Sequence, residues 1–159
     1  MPFLKIVIFS LALVFGISAN GQRRNTPNPR PVAKYRPPKL TTSIGNYKDT
    51  MFIPVQEAAN VMGLPLKITD AKNDVFTVSS YNFVYRQIVT TEDDSLSGKP
   101  SYTTSIKSSL FKTTPLPALW LSVIKERPLP GEEYIFFDVI ARDDRGRVMY
   151  APNIKLTLK

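Results

Sequence analysis

The sequence predicts a mainly β domain with one or two short helices, and three observations carry that expectation. The run VFTVSSYNFVYRQIV, residues 75–89, is dense in β-branched and aromatic side chains. The closing stretch alternates Ile154, Leu156 and Leu158 with Lys155, Thr157 and Lys159, as a strand with one buried face does. Helical periodicity is confined to residues 55–62 and 116–127, too little for a helical core.

The chain opens with an export signature. Lys5 supplies a positive start, IVIFSLALVFGI (residues 6–17) an apolar run, and Ala19 and Gly21 the small residues a signal peptidase needs before its cut. Residues 1–21 therefore read as a cleaved signal peptide, with Gln22 as the new N-terminus. A membrane anchor is the competing reading, but as a helix the run covers about 18 Å of a hydrocarbon core roughly 30 Å thick. The mature chain is accordingly expected to carry no transmembrane anchor.

The net charge of +8 is unevenly spread. Lys5, Arg23, Arg24, Arg30, Lys34, Arg36 and Lys39 fall in residues 1–40, which hold no acid, so residues 41–159 carry only +1. Residues 22–40 also contain Pro27, Pro29, Pro31, Pro37 and Pro38, which favour extended polyproline geometry. They read as a basic, disordered linker able to settle on an anionic surface, with Tyr35 as an amphipathic contact. Nucleic acid is not expected as a partner of an exported protein.

Cys and His are both absent. That removes the usual nucleophile–base pairs and zinc ligand sets, and nothing in the sequence calls for a cofactor or metal.

Within residues 41–159, Pro54 opens a helix, VQEAANVM, that Gly63 closes, with Val55, Ala58, Ala59 and Met62 on its apolar side. Residues 64–69 (LPLKIT) read as a strand and 70–74 as a loop. In the long strand that follows, Phe76 and Val78 share one parity, whereas Tyr81, Phe83, Tyr85 and Val89 share the other. A bulge at Ser79 and Ser80 is the simplest repair of that slip. The serine pair has no glycine-marked elbow or histidine to make it a nucleophile.

Residues 92–100 (EDDSLSGKP) form a polar loop whose acids Glu92, Asp93 and Asp94 lack the alternation of a calcium loop. SYTTSIKSSLFK, residues 101–112, reads as a strand near a sheet edge, where its hydroxyls stay wet. Thr114 and Pro115 are placed to cap a helix carrying Leu116, Leu119, Trp120, Val123 and Ile124 on one stripe, and Arg127-Pro128 ends it. Trp120 is expected to be a core anchor against the strands bearing Phe83 and Phe136.

EYIFFDVIAR, residues 133–142, is apolar on both faces, with Tyr134, Phe136 and Ile140 against Ile135, Phe137 and Val139. Asp143, Asp144, Arg145 and Gly146 make the turn of a hairpin, Gly146 taking the left-handed position. The return strand is interrupted by Pro152. The carboxylates of Asp143 and Asp144 are assigned to turn chemistry.

The order VQEAANVMG, DVFTVSSYNFVYR, apolar helix, G-x-x-Y-I-F-F-D-V-I, D-x-x-G-R-V and I-K-L-T-L resembles the C-terminal domain of the GldM family, part of the gliding-motility and type IX secretion machinery of Bacteroidetes-like bacteria. The resemblance covers about residues 45–159. It implies an immunoglobulin-like β-sandwich-type domain in the periplasm, with a role in protein contact, and envelope proteins, outer-membrane gliding or secretion components among them, as partners. The chain departs from that family in its cleavable signal and in lacking the upstream periplasmic domains, so only a binding role transfers. Gly131, Tyr134 and Lys159 also resemble, loosely, the C-terminal sorting region of type IX cargo, which keeps exported cargo as an alternative. A secreted carbohydrate-active hydrolase built on Glu132, Glu133 and Asp138 is a further one. The leading expectation is a non-enzymatic binding or scaffold protein with no catalytic residue.

Overall fold

The computed structural model of the protein describes residues 35–91 and 101–159. The export segment 1–21, most of the basic run 22–40 and the acidic loop 92–100 lie outside the described residues.

β1 (Leu40–Ile44), rich in β-branched residues, is a strand whose alternate residues Leu40, Thr42 and Ile44 are buried. Gly45, at φ +56°, turns it into the short β2 (Tyr47–Lys48). A Cβ at Gly45 would meet only the movable end of Leu64, Cδ1 at 2.8 Å, so it is the left-handed backbone that favours glycine there. β3 (Thr50–Ile53) follows, and Pro54 leads into a 3-10 turn, Val55–Glu57, that runs on as α1 (Ala58–Met62) and is closed by Gly63. Ala58, Val61 and Met62 are the residues it buries; Val55 and Ala59 lie half-buried at the margin of the expected stripe.

β4 (Leu66–Asp70) turns into β5 (Val75–Thr91) on Asp70, whose Oδ1 accepts from the amides of Lys72 at 2.8 Å and Asp74 at 3.0 Å. β6 (Ser101–Phe111), α2 (Ala118–Glu126), β7 (Glu133–Arg142), β8 (Val148–Ala151) and β9 (Ile154–Leu158) complete the fold. Strand order is β2-β1-β4-β5-β7-β9-β3, with β6 also on β5 and β8 also on β7. The pairing is antiparallel except for β3 beside β9. The mixed sheet curls into a nearly closed, sandwich-like arrangement, mainly β with two short helices, as the sequence predicts.

β5 serves both layers. Its start pairs with β4 and its remainder with β6 and β7, and the expected bulge sits where it changes partner, with the register to β7 shifting between Val78 and Ser80. A second irregularity, between Ser80 and Asn82, places an extra residue on β7, where Asp138 has φ +49°. This bulge corrects the expected faces of β7: Val139 and Ala141 join Tyr134 and Phe136 in the core, and Ile140 moves to the opposite face with Ile135 and Phe137. One extra residue in each strand restores the original register beyond the bulges.

The core between the layers is aromatic. Phe83 lies 4.9 Å from Phe136 between ring centroids, Tyr81 5.5 Å from Phe136, and Tyr85 5.1 Å from Tyr134. α2 starts later than expected. Thr114 and Pro115 do not cap it; Pro117 precedes its first turn and its carbonyl accepts from the amides of Trp120 and Leu121. Thr114 Oγ1 instead accepts from the Leu66 amide at 2.6 Å, tying the approach of α2 to β4.

Candidate functional site

β6 is built to stay wet on much of its surface. Its pairing with β5 runs its whole length, from Thr91 opposite Ser101 to Tyr81 opposite Phe111, and among the described residues no strand lies against its far edge. Cross-strand partners point to the same face. Phe111 therefore turns inward with Tyr81, and Lys107 shares that side with Tyr85. Tyr102, Ile106 and Leu110 take the outer face, where each is more than half exposed.

The outer face continues beyond β6. The register puts Phe52 on β3 and Val148 and Tyr150 on β8 on the same side of the sheet, all well exposed, with Val84, Ile135 and Phe137 half-buried between them. Glu133 crosses this face as an ion pair with Arg86 at 3.0 Å and Lys155 at 2.6 Å. An apolar sheet face of this kind is the ordinary mark of a contact surface.

On the inner side α2 leans against β5 and β6. Trp120 meets Phe83 edge-on at 5.3 Å and Phe111 edge-on at 5.8 Å. Ile124 is fully buried, whereas Leu119, expected on the buried stripe, is 75% exposed. The later start of the helix explains the difference: Leu116 enters the core from the preceding loop, and the stripe within the helix centres on Trp120, Leu121 and Ile124. Trp120 is accordingly half-buried, an anchor on one side only and seated on Phe83, not on Phe136. Its other side joins Leu119, Val123, Lys107 and Ser108 in an open groove of about 380 Å³ between α2 and the β6 edge. Lys107 Nζ donates to Gln87 Oε1 at 2.9 Å. A second, larger hollow of about 550 Å³ lies at the far end of the β5 and β6 pair, against Arg127, Pro128 and Leu129.

The carboxylates singled out in the sequence do not meet. Glu132 is completely buried, accepting from the Tyr85 hydroxyl at 2.7 Å and from the Ile88 amide at 3.1 Å. Glu133 is in its ion pairs, and Asp138 is exposed at the bulge, accepting from Asn82 Nδ2 at 3.3 Å. None of the three lines either hollow. Burial, the bond to Glu132 and the nearby charges push the Tyr85 hydroxyl far above the usual phenol range; burial and Glu132 do the same for Tyr134, whose hydroxyl makes no well-formed hydrogen bond. Burial raises Tyr81 to about 12.

Asp143 holds the hairpin turn. Its Oδ1 accepts from the amides of Arg145 at 3.0 Å and Arg147 at 2.9 Å, and Oδ2 meets the Arg147 guanidinium at 2.6 Å. Desolvation pushes this carboxyl up, but those hydrogen bonds and the charge of Arg147 outweigh it and hold it below the ordinary carboxylate range. Gly146 takes φ +76°, as the turn requires. Among the described residues no three acidic side chains gather to hold a metal ion, and no helix is long and apolar enough to cross a membrane.

No protein-family model matches the chain, and no curated protein matches it either.

The sequence reading did not single out Tyr102, Ile106 and Leu110. Their shared parity within a run of hydroxyl residues is the signal that points to them: three large apolar residues on one face of an edge strand.

Proposed function

We propose that this chain is a non-enzymatic binding or scaffold protein of the bacterial cell envelope, exported to the periplasm or the outer membrane, which grips another envelope protein through its β surface. The observation that carries the reading is β6, an eleven-residue strand paired on one side only among the described residues, with Tyr102, Ile106 and Leu110 standing out from its face. Such an edge offers backbone donors and acceptors to an incoming strand, and the apolar side chains hold what docks. The likeness in order of elements to the GldM C-terminal domain supports the same role, with gliding or secretion components as the partner class. The separation of Glu132, Glu133 and Asp138 into a buried knot, an ion pair and a bulge favours binding over glycoside chemistry, which needs two carboxyls facing across a cleft.

Site-specific photocrosslinking in the native envelope tests this. A crosslinker at Ile106 or Tyr102 is expected to trap one defined envelope protein, and one at Lys72, in the β4 to β5 turn, is not. Equal trapping from both faces, or turnover of a glycan or peptide by the purified protein, would overturn the reading.

A further inference from the structure

Resting on that reading, we infer that the β6 edge and the adjoining groove together take an extended, acidic peptide segment, with a carboxylate opposite Lys107 and a bulky apolar side chain seated on Leu119, Trp120 and Val123. Lys107 decides the occupant. It is the one charge in β6, it lies at the middle of the strand, and it faces the groove side of the sheet. An inward lysine on an edge strand discourages pairing with a like edge. Two copies of β6 joined antiparallel about Ile106 would set Lys107 of one copy diagonally beside Lys107 of the other, on the side that α2 partly covers. A strand carrying Asp or Glu removes that repulsion and gains an ion pair where a second copy meets a clash.

The neighbouring charge points the same way. Residues 101–128 contain Lys107, Lys112, Lys125 and Arg127 against the single acid Glu126. This flank is basic although residues 41–159 as a whole are nearly neutral. Spacing then places the second determinant. Side chains two residues apart on a strand share a face, so the residue two beyond the carboxylate, opposite Ser109, reaches the open side of Trp120. There Leu119 is exposed and the groove has room for one large side chain. The peptide pattern is therefore an acid and an aromatic or long aliphatic residue at alternate positions, with small polar residues between them.

Fluorescence anisotropy with the purified full chain and a labelled, acetylated peptide alternating Thr with Glu and Phe is the test. Binding is expected, weakened about tenfold by Lys107→Glu and by Leu119→Asp, both at positions that leave the core intact. A peptide with Lys in place of Glu should recover binding to the Lys107→Glu chain. A peptide N-methylated along its pairing edge should not bind. If the Glu and Lys peptides bind the parent equally, or the Glu peptide fails to bind, the acidic specificity is wrong, while crosslinking from Ile106 can still uphold the edge as a docking strand. If the N-methylated peptide binds as tightly as the plain one, strand addition itself is wrong. A concentration-dependent dimer of the parent that crosslinks through Ile106 would overturn the choice of an acidic peptide over a second copy.

Discussion

The Tyr85 hydroxyl donates to Glu132 Oε2 at 2.7 Å in a place where neither side chain meets solvent. With the Ile88 amide on the other oxygen, this carboxylate fastens the entry to β7 onto the middle of β5. A buried donor left without its acceptor costs about 1 to 3 kcal/mol. Glu132→Ala strands two donors and is expected to destabilise more than Tyr85→Phe, which removes one. Urea denaturation of both variants measures the difference, and a Glu132→Ala chain as stable as the parent would remove the carboxylate from the account of the fold.

Alkali is expected to unfold the protein through its tyrosines. Tyr81, Tyr85 and Tyr134 all have hydroxyls raised above 10 by burial. A group whose folded value is raised contributes stability that is complete below its unfolded value and lost as pH climbs toward the folded one. Stability should be unaffected by these groups up to about pH 10 and fall beyond it. Tyrosinate absorbance followed beside circular dichroism checks this; ionisation of every tyrosine while the fold persists would contradict it.

Trp120 and Leu119 are neighbours with opposite expectations. Trp120→Ala removes a ring seated on Phe83 and Phe111 and should cost about 3 kcal/mol, whereas Leu119→Ser should stay within about 0.5 kcal/mol. Trp120 is the only tryptophan, so its emission reports the site directly. A large loss at Leu119 would mean that the groove side of α2 is covered in solution.

Asp143→Ala is expected to loosen the β7 to β8 hairpin, and Asp144→Ala to leave it alone, because the bonds to the turn amides and to Arg147 are made by Asp143. A carboxyl held below its ordinary value contributes stability above that value and loses it as pH falls through the folded one. The parent should therefore lose hairpin protection on acidification more steeply than Asp143→Ala does, as amide hydrogen exchange at Met149 and Ala151 reports.

Period and parity made much of this fold legible. The slip at Ser79 and Ser80 was visible because Phe76 and Val78 disagree in phase with Tyr81, Phe83 and Tyr85. The matching bulge at Asp138 was not, since EYIFFDVIAR is apolar on both parities and no phase change betrays it. β3 escaped because a short strand can gain its identity from a partner far along the chain: TMFI pairs with the region of Lys155 to Leu158. β1 and β2 form a local hairpin, but LTTSI and YK are too short and too polar for a period to show. Of the docking surface, the edge character of β6 was readable from its hydroxyls. The groove was not, because it depends on where α2 begins, and Thr114-Pro115 advertises a cap that the chain spends on β4 instead.

The parallel pairing of β3 with β9 joins segments about a hundred residues apart, and contacts of that span are slow to form. The sheet that completes the core is thus among the last parts to assemble, on a scale of roughly milliseconds to seconds. Until β3 docks, the outer edge of β9 has no strand beside it. A bare strand edge of that kind is open to a strand from another chain until β3 closes it, so dilute conditions favour the native pairing during refolding.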